Sequence, residues 1–136
     1  GYLTASRKIL ETASKIKKGI QEISDLYILG DPLWVIAFGC KTLDIYRVMD
    51  YLTSRRWSLN GLHHPSCLHL CVTLRHTQPG VAERFIDDLK AAVDAVRNHP
   101  DADSRMAPIY GMAANLPVRS VVGNLLERYI DLLYKI

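Results

Sequence analysis

The stretch Asn60–His76, NGLHHPSCLHLCVTLRH, decides how this chain is read. It holds four of the five histidines and two of the three cysteines. From Cys67 to Leu74 it is also the most strand-like run in the sequence. Alternate residues of a strand share a face. Cys67, His69, Cys71 and Thr73 therefore point one way, and Leu68, Leu70, Val72 and Leu74 the other. The leucine/valine face is expected to pack on helices. The His/Cys/Thr face is either a second, tighter core layer or the wall of a site.

The flanks supply the rest of the fold. Upstream, Tyr2–Ser24 reads as an amphipathic helix, with Ile9, Ala13, Ile16, Ile20 and Ile23 in one stripe. Lysines and glutamates decorate its other side. Leu26–Leu29 reads as a short strand and Gly30-Asp31-Pro32 as a turn. Leu33–Phe38 is a second strand, apolar on both faces and ended by Gly39, so the two form an antiparallel hairpin. Thr42 or Asp44 caps the next helix, whose stripe is Ile45, Val48, Met49 and Leu52. Trp57–Leu59 reads as a short edge strand, followed by a turn at Asn60-Gly61 and a loop through His64-Pro65.

Downstream of the central stretch, Thr77 and Pro79 open a helix that buries Val81, Phe85, Leu89, Ala92 and Val96. Asn98-His99-Pro100 stops it. Pro117 starts a last helix with Val122, Leu125, Leu126, Tyr129 and Leu133 inward. The fold class expected is α+β: a two-layer small domain with a mostly antiparallel sheet of three or four strands and helices on one face. One domain is expected over 1–136. It comprises a helix over 2–24, a sheet-and-helix core over 26–98, a loop over 100–116 and a terminal helix over 117–134.

Composition narrows the function classes. With 136 residues, 49% hydrophobic and 23% charged, a real core can form and disorder is excluded. A net charge of +3 is too small an excess to argue for nucleic acid. No apolar run approaches the ~20 residues that span a bilayer. Three cysteines without framework spacing fit a reducing compartment. The start lacks a signal-peptide pattern and an initiator Met, so a fragment or a processed product is expected.

Four constellations carry possible chemistry. His63, His64, Cys67, His69 and Cys71 are all zinc-competent, but they bunch on one strand end. Same-face neighbours there stand roughly 6.5–7 Å apart, long for one tetrahedral ion. Small buried hydrophobes is the stronger reading of Cys67 and Cys71. Cys71 paired with a histidine is a second candidate, weakened by its place inside a strand. Asp87, Asp88, Asp101 and Asp103 form the third; the first two read as a solvated helix face and the others as a polar loop. The fourth is the loop Ser104–Ala114, SRMAPIYGMAA. There Tyr110 precedes Gly111, which permits a close backbone approach. A tyrosine hydroxyl on a tight loop serves as a hydrogen-bond donor or an acid/base group, or it simply packs.

With these residues in view, the sequence resembles the C-terminal portion of the sphingosine-1-phosphate lyase family. These are pyridoxal-phosphate enzymes of fold type I, in the group II decarboxylase-like superfamily. The resemblance runs through nearly the whole chain. Val35–Gly39, Asp44–Arg47, Trp57–Asn60, the strand with His69, Cys71 and Thr73, His76, and Ala107–Ala113 all carry it. The Ile109–Ala113 run, IYGMA, is its most specific piece. It implies retro-aldol cleavage between C2 and C3 of a phosphorylated sphingoid base, giving a long-chain aldehyde and phosphoethanolamine. Tyr110 matches the family's active-site tyrosine, which implies a role in proton handling or substrate orientation. The cofactor, pyridoxal 5'-phosphate, is bound in the family by a large domain. This chain lacks the His-Lys segment of the Schiff-base lysine, and Lys8, Lys15, Lys17, Lys18, Lys41, Lys90 and Lys135 fall on helix faces or in a connection.

The resemblance therefore implies that this chain works with a large pyridoxal-phosphate-binding partner and binds no cofactor alone. It also implies a homodimer. Localisation is expected to be cytoplasmic for a bacterial member and the endoplasmic reticulum membrane for a eukaryotic one. Two alternatives stand beside it. One is the small domain of a pyridoxal-phosphate amino-acid decarboxylase, for which Arg105 and Arg119 would bind a carboxylate. The other is a non-catalytic interaction module whose lysine helix meets a membrane or partner.

Overall fold

The computed structural model describes residues 1–100, 128–130 and 132–133. The elements in chain order are α1 (Tyr2–Gln21), β1 (Leu26–Leu29), β2 (Val35–Cys40), α2 (Ile45–Ser54), β3 (Asn60–His63), β4 (Ser66–Cys71), a 3-10 turn (Leu74–Thr77) and α3 (Val81–Asn98). The four strands form one antiparallel sheet in the order β1-β2-β4-β3. The α+β expectation holds, with four strands.

Register explains the core. Ile36 lies opposite Leu70 and Phe38 opposite Leu68 across the two central strands. These four side chains are 0–1% exposed. They meet Ala13, Ile16 and Ile20 of α1, Val48 and Leu52 of α2, and Phe85, Leu89 and Ala92 of α3 in one hydrophobic cluster. Each helix contributes the stripe that its spacing predicts, because burying apolar surface at roughly 25 cal/mol per Å² outweighs the weak intrinsic propensity of Ile and Val for helix. Asp44 caps α2, its carboxylate accepting from the Tyr46 N–H at 3.0 Å.

Several boundaries differ from the sequence reading. The predicted Cys67–Leu74 strand ends at Cys71, and Leu74 is half exposed at 50% instead of packing on helices. The reason is local: Thr73 caps the Leu74–Thr77 turn in a reciprocal pair with His76. Gly39, expected to end the second strand, lies within it, opposite Tyr27. The edge strand falls at Asn60–His63 instead of Trp57–Leu59. Pairing of Asn60 with His69 and of Leu62 with Cys67 overrides the local turn preference of Asn-Gly. Trp57 turns inward instead and is 7% exposed. Pro79 precedes the third helix, which Gly80 enters at φ 79°. Of the expected terminal helix, residues 128–130 and 132–133 are described and helical, and Tyr129 and Leu133 stand 43% and 62% exposed instead of inward. At these two positions helical periodicity records an apolar face without fixing what covers it.

Candidate functional site

Tyr110, with the loop that carries it, lies outside the described residues, as do Asp101, Asp103, Arg105 and Arg119. The described part of the candidate site is the sheet face turned away from the helices, together with the groove at its edge.

That face carries the His/Cys side of β4. Its central row runs Leu29, Ala37, His69 and Asn60 across the four strands. His69 is half-buried and Asn60 exposed. Cys71, opposite Val35, is exposed. Cys67 is the exception on this face: it is 2% exposed, and burial pushes its thiol pKa up. A thiol held protonated is a poor nucleophile and a poor ligand. His63 and His64 sit at the β3–β4 turn with ring centroids 5.1 Å apart, edge to face. Among the described residues no group of three His, Cys, Asp or Glu side chains could hold a metal ion. The strand spreads the soft ligands along its length and does not converge them.

The carboxylate candidates separate in the same way. Asp87 is exposed on α3. Asp88 is not on a solvated face as the sequence reading had it: its side chain is 18% exposed and accepts the Trp57 indole N–H at 2.7 Å. Arg55 stands 4.0 Å from its other oxygen. Asp88 is thus the polar partner of a buried tryptophan.

The groove was not foreseen. It encloses about 550 Å³ between the first turns of α1 and the junction of β4 with the 3-10 turn. Tyr2, Ile9, Leu10, Trp34, Val72 and Leu74 form most of its wall, and Cys71 and Thr73 reach its rim. The backbone closes it: the Val72 N–H donates to the Trp34 carbonyl at 2.8 Å, extending the β2–β4 pairing past Cys71. Tyr2, Trp34 and Leu74 are 86%, 48% and 50% exposed. Leu33 and Leu3 add more bare apolar surface nearby in sequence. Bare apolar surface of this kind is a candidate for contact with a partner. Its signal lay in the sequence as a second line on α1, Tyr2, Ser6 and Leu10, beside the isoleucine stripe.

The comparisons with known proteins agree with one another. No family model matches the sequence. Sphingosine-1-phosphate lyase of Arabidopsis thaliana is 39% identical over 98% of this chain, that of Oryza sativa 42% over 96%, and that of Drosophila melanogaster 41% over 98%. The chain spans about a quarter of the length of each of these relatives. Among solved structures, sphingosine-1-phosphate lyase of Burkholderia pseudomallei superposes with a TM-score of 0.70 at 45% identity, over 74% of this chain and 23% of that one. C-DES, a cystine C–S lyase, matches with a TM-score of 0.52 at 15% identity over 61% of this chain and 23% of that one, a likeness of fold alone. Over nearly its whole length, then, the chain is homologous to the C-terminal portion of the sphingosine-1-phosphate lyases.

Proposed function

We propose that this chain acts as the C-terminal domain, over 1–136, of a pyridoxal-phosphate-dependent lyase that cleaves the C2–C3 bond of phosphorylated sphingoid bases. The products are a long-chain aldehyde and phosphoethanolamine. The observation that carries the reading is similarity to sphingosine-1-phosphate lyases across 96–98% of the chain.

The described residues do not fit the cofactor by themselves. No charged residue among them is buried, and each described lysine lies exposed or half-exposed. Lys15 pairs with Glu83 and Lys17 donates to the Pro32 carbonyl at 2.7 Å, so both hold structure. The chemistry that stabilises negative charge on C2 therefore comes from a larger cofactor-binding portion. The relatives, four times as long as this chain, leave room for one. The apolar groove is the seat on which that portion docks.

Tyr110 is assigned to the reaction centre by its match to the family motif. Its phenol would lie against the substrate and hold or pass the proton of the C3 hydroxyl as the C2–C3 bond breaks. Assembly as a homodimer belongs to the same proposal. Among the described residues no helix is long and apolar enough to cross a membrane. The relatives are both eukaryotic and bacterial, and the proposed placement follows the source: endoplasmic reticulum membrane in the first case, cytoplasm in the second.

Tyr110→Phe in the assembled enzyme tests the assignment. General acid–base groups contribute roughly 10²–10⁴-fold, so aldehyde release should fall by about 10² or more with the unfolding midpoint unchanged. Wild-type turnover in that variant would remove Tyr110 from the mechanism.

A further inference from the structure

The last turns of α1 and the turn between β1 and β2 form a second pocket, of about 370 Å³. That is at the lower end of the ~300–1,000 Å³ typical of small-molecule sites. Ser14, Lys17, Lys18 and Gln21 recur at spacings of three and four, so one face of α1 lines it. Asp31 and Pro32 line it from the turn. Lys17 is half-buried, and its Nζ is fixed by donating to the Pro32 carbonyl at 2.7 Å. An ammonium carries three donors, so two remain for a ligand. Lys18 is exposed and makes no ion pair among the described residues. Asp31 shares the pocket with both lysines, but it stands within ion-pair distance of neither. Two cations and one carboxylate thus line one small pocket without neutralising each other.

A bare anion fits this arrangement poorly. The pocket lies at the C-terminal end of α1, where a helix carries about half a negative charge, and Asp31 adds a full one. Those two features suit an ammonium group, while the lysines suit a phosphate. The geometry points to a binding site for a small aminoalkyl phosphate, with its phosphoryl oxygens on Lys17 and Lys18 and its ammonium on Asp31. Ser14 and Gln21 add neutral donors on the phosphate side. Phosphoethanolamine, a product of the reaction proposed above, belongs to this class, and so does the head group of the sphingoid substrate. The pocket chemistry stands without that reaction; only the choice of probes draws on it.

Isothermal titration calorimetry on the full-length protein tests the site at about pH 8, where a phosphate monoester is a dianion. Phosphoethanolamine should bind more tightly than inorganic phosphate by about three- to tenfold, the worth of one exposed charge-assisted contact. Lys17→Gln should weaken it by a similar factor, and so should Lys18→Gln, which leaves the bond to Pro32 in place. Asp31→Asn separates a zwitterion site from an anion site: it should weaken phosphoethanolamine and strengthen inorganic phosphate. Phosphate that binds as tightly as phosphoethanolamine would overturn the inference, as would binding that all three substitutions leave unchanged. Sphingosine-1-phosphate in phosphatidylcholine vesicles, followed by co-sedimentation, separates the two sources of the ligand. Binding there that Lys18→Gln abolishes, with none of free phosphoethanolamine, assigns the site to the lipid-borne head group. No binding in either arm would overturn it. Turnover is not the readout, so a protein that binds these probes and cleaves no sphingoid base keeps this site and loses the lyase reading.

Discussion

The Nδ1 of His76 lies 3.0 Å from the backbone nitrogen of Thr73 and 3.1 Å from its hydroxyl. To accept from that N–H, Nδ1 must carry no proton. Burial, and then the Arg75 guanidinium beside it, holds the pKa of His76 below the ordinary 6.5. The ring also stacks on Trp57 at 6.4 Å between centroids. A group whose folded pKa is lowered contributes stability that is present above its unfolded pKa and lost as pH falls through the folded one. Urea midpoints should therefore hold above about pH 6.5 and decline below it. Asp25 and Glu83, whose pKa values are lowered from 3.8 and 4.5 by Arg97 and Lys15, add their own loss only at lower pH. His76→Gln should remove the decline that sets in below about pH 6.5; an unchanged slope would show that another group titrates there.

Trp57 joins the 3-10 turn to α3. Its indole N–H donates to Asp88 at 2.7 Å, its ring meets Phe85 edge-on at 5.1 Å, and Arg84 lies 4.8 Å over its face. Trp57→Phe keeps an aromatic ring and leaves Asp88 without its donor, which should cost about 1.5–3 kcal/mol. Trp57→Ala should cost about 3–5 kcal/mol by opening a cavity against Phe85. Chemical denaturation reads both. Equal costs for the two variants would mean that the hydrogen bond, and not packing, dominates.

Asp44 is a cleaner case, because its side chain has a defined capping contact. Its carboxylate accepts from the Tyr46 N–H and satisfies an orphan donor of α2. Asp44→Ala should cost about 1 kcal/mol, and Asp44→Asn much less. A loss confined to the Ala variant, measured by urea unfolding, confirms a capping role over a general charge effect.

The sequence carried the helix stripes well and the sheet edges poorly. Ile16, Val48 and Phe85 are core because spacing of three and four leaves a helix little choice of face. The edge strand was misplaced because Asn60-Gly61 is a turn by local chemistry and a strand only by pairing with β4, a long-range fact. Asp88 was read as solvated because its partner, Trp57, is 31 residues away. The groove was hidden for a related reason. Leu10 and Trp34 are apolar like any core residue, and only the fold shows that nothing described covers them. Tyr110 stands apart: no periodicity reveals it; the tight Tyr110-Gly111 loop offers it as a candidate, and the resemblance to the family gives it a role.

The groove should matter for assembly and not for folding. Tyr2, in the same groove, is 86% exposed, so charging it removes little buried surface from the chain itself. Tyr2→Lys should change the unfolding free energy by no more than about 0.5 kcal/mol, the range of ordinary surface substitutions. In the assembled enzyme the same substitution should lower stability and cofactor retention. Assembly and retention equal to wild type would show that the larger portion docks elsewhere.

Gly39 sits under Tyr27 on the open face of the sheet. A Cβ there would stand 2.7 Å from the Tyr27 hydroxyl and 2.8 Å from its Cζ, with the Ser66 carbonyl at 3.2 Å. Backbone at Ser66 gives little, so the ring on the edge strand must swing away. Gly39→Ala should then cost about 1–3 kcal/mol as overpacking, against a gain of about 0.5–1 kcal/mol from replacing glycine in a strand. In a Tyr27→Ala background the ring clash is gone, and the gain is set only against the tight 3.2 Å approach to the Ser66 carbonyl. Gly39→Ala should therefore cost much less there than in the wild-type background, a coupling that urea midpoints of four proteins resolve. The same loss in both would place the obstruction at the Ser66 carbonyl, making the glycine a requirement of the β2–β4 backbone and not of the tyrosine.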